Sequence, residues 1–202
     1  MKYSTLQPRY ARMPEHSPAP IEALRDFFAA TDAGGLKDAA GRIAGSFGAE
    51  IPAGTDWTAV EYEFNRLFVG PAAVPAPPFA SAWSETDRAL MGRATMEARQ
   101  TYHRLGLAVP AEGVVPDDHL SYELEAVLAM KSMPAAKGTP ADAGVADLHA
   151  WFIGEHLARW LPPFVEAVRA HASAGGVVAM AADALAEWFE SERNATTAPR
   201  RD

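Results

Sequence analysis

One stretch limits the possible architecture more than any other: residues 64–83, FNRLFVGPAAVPAPPFASAW. Phe64, Leu67 and Phe68 stand at i, i+3 and i+4, the spacing of one helical face. Gly70-Pro71 stops that helix, because Pro cannot continue the ladder and Gly accepts the turn. Pro71, Pro75, Pro77 and Pro78 then hold the chain extended, while Val74, Phe79 and Trp83 make it apolar. A short polar connection would be enough to join two helices. A stiff apolar one must lie against something. That surface is either the protein's own core or a groove for another chain, and both readings stay open on the residues alone.

The chain of 202 residues is 49% hydrophobic with five Trp and nine Phe, enough for a real core and one domain. It contains no Cys, which removes disulfides, thiolate metal sites and Cys nucleophiles together. The N-terminal MKYSTLQPRYARMPEH has no apolar core of a secretory signal. No run of about eighteen apolar residues suggests a membrane span, so the expected location is cytoplasmic. A net charge of −8 argues against a nucleic-acid binder, which needs a basic face to displace counterions.

Helical periodicity recurs along the chain, and no segment alternates with period two between hairpin turns. Residues 1–19, with Pro8, Pro14 and Pro18, read as an irregular arm. A first helix is expected from Pro20 to Ala30, ended by Gly34-Gly35, and a second from Leu36 to Phe47, both only loosely attached. Thr55 or Asp56 caps a third that leads into the proline-rich loop. A long helix is expected over 85–105 and another over 118–132. Thr139-Pro140 opens a further helix, which continues or breaks near Phe152 to Gly154. Pro162-Pro163 is expected to kink or end the helix carrying Trp160 and Leu161. A last helix follows Gly175-Gly176, and the chain beyond Ser191 reads as a frayed polar tail. The expected fold is all-α, a single bundle of about eight helices. Its domain covers residues 20–193, followed by a tail over 194–202.

Few residues suggest chemistry. Pro116-Asp117-Asp118-His119 places two acids and a His at a helix start. Asp there is suited to capping the free N–H groups, and a catalytic or ligand-binding role is the competing reading. The six His, at 16, 103, 119, 149, 156 and 171, show no metal-ligand spacing. Ser81 lies in no G-x-S-x-G elbow, and neither Gly pair belongs to a phosphate-binding loop. No metal, cofactor or catalytic residue is therefore expected. Phe64, Leu67 and Phe68 read as core or as a binding face.

Taken together, the motifs are more specific. Phe64-x-x-Leu67-Phe68-Val69-Gly70-Pro71, then Pro77-Pro78-Phe79-x-Ser81-x-Trp83, resembles the TorD/DmsD family of redox-enzyme maturation chaperones. Tyr102-x-x-x-Gly106-Leu107, Pro116-x-Asp118-His119 with Glu123-Leu124, and His156-Leu157-x-x-Trp160-x-Pro162 extend the resemblance in order over about residues 57–165. Val115 stands where the second signature usually has Glu. The resemblance implies an all-helical cytoplasmic chaperone without turnover. Such a protein binds the twin-arginine leader and apoprotein of a molybdopterin-dependent oxidoreductase of the dimethyl sulfoxide reductase family. It holds that client for molybdenum-cofactor insertion before export, and it is itself a monomer or dimer. Carried over residue by residue, the peptide-binding set is Phe64, Leu67, Phe68, Phe79, Trp83, Pro116, Asp118 and His119. These residues are expected to line an open apolar slot in which Asp118 accepts a leader Arg. Alternative readings are an assembly chaperone for a nitrate-reductase-like or type II dimethyl sulfoxide reductase-like subunit, a guanine-nucleotide-binding switch or hydrolase, and a plain helical scaffold.

Overall fold

The computed structural model describes residues 7–8, 20–84, 92–110, 116–133 and 140–197. The expected start of the long helix at 85–91 and the cap at Thr139 lie outside them, as does most of the 1–19 arm. The architecture is all-α: α1 Pro20–Ala29, α2 Ala33–Phe47, α3 Trp57–Phe68, a single turn α4 Ser81–Ser84, α5 Arg93–Arg104, α6 Leu120–Ser132, α7 Pro140–Trp151, α8 Ala158–His171 and α9 Val177–Thr197. A π-helical turn, Phe152–Leu157, joins α7 to α8. The β-structure among the described residues amounts to a two-residue ladder, in which β1 Gln7–Pro8 pairs antiparallel with β2 Leu107–Ala108, and one bridge described below.

Helix α6 organises the bundle. Its residues from Leu120 to Met130 are buried on nearly every side, Glu125 excepted, as a helix with apolar residues all round must be. Against it packs α1, which is not loosely attached as expected. Leu24 and Phe27 are fully enclosed, and α1 touches α2, α6 and α9. The physical reason is aromatic: Phe27 meets Phe64 edge-on at 5.8 Å, and Phe28 meets Phe68 and Phe164 at 5.6 and 5.8 Å. Such edge contacts each add about 0.5–1.5 kcal/mol beyond the area buried.

Helix ends follow local chemistry, with four departures from expectation. Asp56 caps α3 by accepting from the Thr58 and Ala59 N–H groups, as one of two expected caps. Gly34-Gly35 does not end α1. It forms the first turn of α2, because Asp32 caps that helix and accepts the Gly35 N–H at 2.8 Å. Pro162 and Pro163 do not end α8. Both rings lie on its solvent side while Leu161, Phe164 and Val165 are buried, so burial offsets the roughly 3 kcal/mol that an interior Pro costs. The chain beyond Ser191 stays helical to Thr197, held where Glu192 accepts from Lys131 at 2.6 Å. The fourth departure concerns the start of α6, where the candidate site lies.

Candidate functional site: the proline-rich loop on the start of helix α6

After α3 the chain turns at Gly70, whose φ of 102° only glycine adopts readily. The loop is then fastened at successive points. Ala76 N–H donates to Leu67 O at 3.1 Å, and the Trp83 indole N–H donates to Pro77 O at 2.8 Å. Leu120 N–H donates to Pro78 O at 2.9 Å and Ala80 N–H to Asp118 O at 3.0 Å, closing an antiparallel bridge between Phe79 and His119. Prolines suit this pairing, since each offers a carbonyl and has no N–H that would need a partner.

Three consecutive side chains complete the corner, each with a separate task. Asp117 receives the Arg99 guanidinium on both oxygens, at 2.7 and 3.1 Å, the fork geometry that makes such pairs strong. Its carbonyl accepts the Tyr102 hydroxyl at 2.8 Å. Asp118 spends one carboxylate oxygen on the Ser81 N–H at 2.6 Å and the other on the Thr95 hydroxyl at 2.8 Å, tying α4, α5 and α6 together. The Ser81 hydroxyl is buried and finds no partner among the described residues.

His119, not Asp118, caps α6. Its Nδ1 accepts the Ser121 N–H at 3.2 Å and lies 2.8 Å from the Ser121 hydroxyl. A ring nitrogen that accepts carries no proton, so the neutral ring holds its proton on Nε2. Burial drives the His119 pKa down to about 3, which keeps the ring neutral and preserves the cap. The Phe79 ring stands edge-on to it at 5.0 Å.

The structure therefore brings the eight residues of the expected peptide-binding set to one region, but not to one open slot. Phe64, Leu67, Phe68, Asp118 and His119 are buried, with Leu67 and Asp118 at 0% exposure. The three apolar side chains belong to the core. Asp118 as acceptor of a leader Arg is corrected: both its oxygens are already used and no solvent reaches them. Phe79, Trp83 and Pro116 are half-buried and form the accessible part of the set.

A second buried polar cluster lies where α5, α6 and the π-turn meet. Glu123, fully enclosed, accepts the Trp160 indole N–H at 3.0 Å and His156 Nε2 at 2.7 Å. The other His156 nitrogen faces Glu97 at 3.3 Å. Glu97 also binds Arg159 at 2.6 Å and Arg93 at 2.8 Å. Burial works to lower the His156 pKa, but the Glu123 and Glu97 carboxylates outweigh it and hold it above the ordinary value. A ring with an acceptor at each nitrogen is satisfied when doubly protonated. Burial pushes Glu123 up, against its contacts with His156 and Trp160. Burial also acts to raise Glu97, yet its bonds to Arg159, Arg93 and His156 hold it below its usual range. A π-turn widens the backbone by one residue per turn, and here it carries His156 at its inner face, stacked on Phe152 at 4.7 Å.

Sequence reasoning did not foresee the roles of Thr95, Arg99 and Asp117, or the joining of Glu123 to His156. One signal was present: Glu123 stands among the apolar residues of the run LSYELEAVLAM, and a charge buried there requires a partner.

Comparison with known proteins agrees with this picture. A family model described as nitrate reductase delta subunit matches residues 12–166. The chain belongs to this family, which comprises the TorD/DmsD-type redox-enzyme maturation proteins. It is 31% identical over 109 residues to the Tat proofreading chaperone DmsD of Salmonella typhi, covering 54% of this chain and 48% of that protein. It is 28% identical over 103 residues to the Tat proofreading chaperone DmsD of Salmonella paratyphi A, covering 51% and 48%. The match thus spans about half the length of these curated relatives. The fold resembles the crystal structure of an Archaeoglobus fulgidus protein described as a redox enzyme maturation protein. The TM-score is 0.59 at 22% identity, over 90% of this chain and 99% of the other.

Proposed function

We propose that this protein is a cytoplasmic maturation chaperone for a molybdoenzyme of the dimethyl sulfoxide reductase family. It binds the enzyme's twin-arginine leader and apoprotein, holds them for cofactor insertion, and catalyses no reaction itself. The observation that carries this reading is the proline-rich loop fastened to the start of α6, with Phe79, Trp83 and Pro116 left half-exposed beside it. A loop held this rigidly loses little entropy when a peptide docks on it. The relatives named as Tat proofreading chaperones supply the class of ligand. No helix among the described residues is long and apolar enough to cross a membrane.

Magnitudes favour apolar contact as the source of affinity. Covering about 300 Å² of apolar leader at about 25 cal/mol/Å² yields roughly 7 kcal/mol. Ordering the peptide returns about 2–5 kcal/mol of that, and each exposed Arg–carboxylate pair adds about 0–1 kcal/mol. The arginines then set register and exclude other leaders more than they hold. Titration calorimetry with a synthetic twin-arginine leader tests the reading: binding is expected, weakened by Phe79→Ala with the fold intact. A wild-type protein that binds no such peptide at hundreds of micromolar rules it out.

The description of the matched family favours a second client class, a nitrate-reductase-like catalytic subunit. Mass spectrometry of the enzyme that co-purifies with the tagged chaperone from its own host distinguishes the two.

A further inference from the structure

The side chains that a leader's arginines were expected to meet are enclosed, and the open acidic surface lies elsewhere. Between α8 and α9 runs a depression of about 470 Å³. Its floor is apolar, built from Leu161, Val165 and Phe189 with Pro162 at the lip. Its rim carries four carboxylates, Glu166, Asp183, Glu187 and Glu190, against one guanidinium, Arg169. A second depression of about 270 Å³ lies on the other side of α9, lined by Phe47 and Met180 and bordered by Glu50. Asp183 and Glu187 line both. They are one helical turn apart, about 5–6 Å between β-carbons, and so form an acidic ridge between two apolar hollows.

The rim already shows how it handles a guanidinium. Arg169 is held between Glu166 at 2.7 Å and Asp183 at 2.9 Å. Glu190 is engaged by Arg193 at 2.6 Å. Glu187 is exposed and has no ion pair among the described residues. A ligand that complements this surface has adjacent cationic side chains and a neighbouring apolar one. In an extended peptide, successive side chains point to opposite faces. Two consecutive arginines lying across the ridge would each reach one hollow, and both would pass Glu187.

We infer that the α8–α9 groove, with Glu187 on its rim, receives the paired arginines of the twin-arginine leader and the apolar residue beside them. This rests on the leader-binding reading above and moves its arginine-binding part away from Asp118. The occupant is set by charge complementarity: an acidic rim on an apolar floor selects a basic, apolar segment over a neutral or acidic one.

The test is calorimetry with a synthetic peptide carrying Arg-Arg followed by a leucine- and alanine-rich stretch. Four proteins are compared: wild type, Glu187→Lys, Ala186→Trp to fill the hollow, and Asp38→Lys as an equal charge change on an exposed site of α2. Glu187→Lys is expected to weaken binding roughly tenfold, with Ala186→Trp similar and Asp38→Lys within about twofold. Thermal melts of all four verify folding. If wild type binds and both groove variants bind equally well, the groove assignment is wrong while the leader reading stands. If wild type does not bind, both fall together. Sedimentation of wild type and Ala186→Trp covers the other occupant: a dimer that the tryptophan dissociates makes the groove a self-interface and overturns the assignment.

Discussion

Two buried histidines on this scaffold have pKa values shifted in opposite directions, and the contrast shows how neighbours decide chemistry. His119 and His156 are both about 1% exposed. His119 caps a helix through Nδ1, with the Phe79 and Tyr122 rings at 5.0 and 6.0 Å, and burial takes its pKa down to about 3. His156 has a carboxylate at each nitrogen, and its pKa goes up. Desolvation penalises the charged ring in both. Only at His156 do paired anions exceed the penalty. The first arrangement fixes a loop, the second ties α5, α6 and the π-turn together through a buried polar cluster.

Removing the anion should break the contrast most severely. Glu123→Ala leaves His156 and the Trp160 indole facing a void, and breaking a buried pair costs about 3–5 kcal/mol. Urea unfolding should show that loss, and imidazole NMR should show the His156 pKa falling toward the behaviour of His119. An unchanged midpoint would mean that the pair contributes nothing.

The next effect is in acid. A lowered folded pKa means that the unfolded chain takes up the proton first, so stability falls as pH drops below 6.5 toward about 3. His119→Asn keeps a capping acceptor and removes the titration. Between pH 7 and pH 4 it should lose about 3 kcal/mol less stability than wild type. Equal losses would place the acid sensitivity elsewhere.

His156 should act with the opposite slope in a different window. A raised folded pKa adds stability that is fully present below pH 6.5 and fades as pH rises through the folded value. The stability gap between wild type and His156→Gln should therefore be larger at pH 6 than at pH 9. A gap independent of pH would mean that folding leaves the pKa of the ring unshifted. The smallest effect expected is at the Asp118 corner: Thr95→Val removes one of its two hydrogen bonds and should cost about 1–2 kcal/mol by thermal melt, with the loop still in place.

Much of this fold was legible. Asp56 capped its helix, the Phe64–Leu67–Phe68 stripe lay on one face, and Gly70-Pro71 closed α3, because each depends on residues within one or two turns. Gly34-Gly35 was misplaced since two glycines read equally well as a stop or as a tight first turn, and only Asp32's hydrogen bond separates them. Of the two readings of Pro162-Pro163, a kink or an end, the helix excludes the end: their local penalty is real, but the burial of Leu161 and Phe164 exceeds it, and burial is a property of the whole bundle.

The sequence by itself determined the helical class, the family motifs and the rigid apolar loop, since these follow from spacing and backbone chemistry along the chain. Tertiary structure alone decided which residues face solvent and which are enclosed. Asp118 and Glu187 are both acids, one in the turn just before α6 and the other on α9. One is enclosed because Ser81 and Thr95, from 37 and 23 residues earlier in the chain, fold over it, and the other stands exposed on a ridge between two hollows. Exposure and charge state arise from groups brought together across long stretches of chain, and no local spacing encodes them.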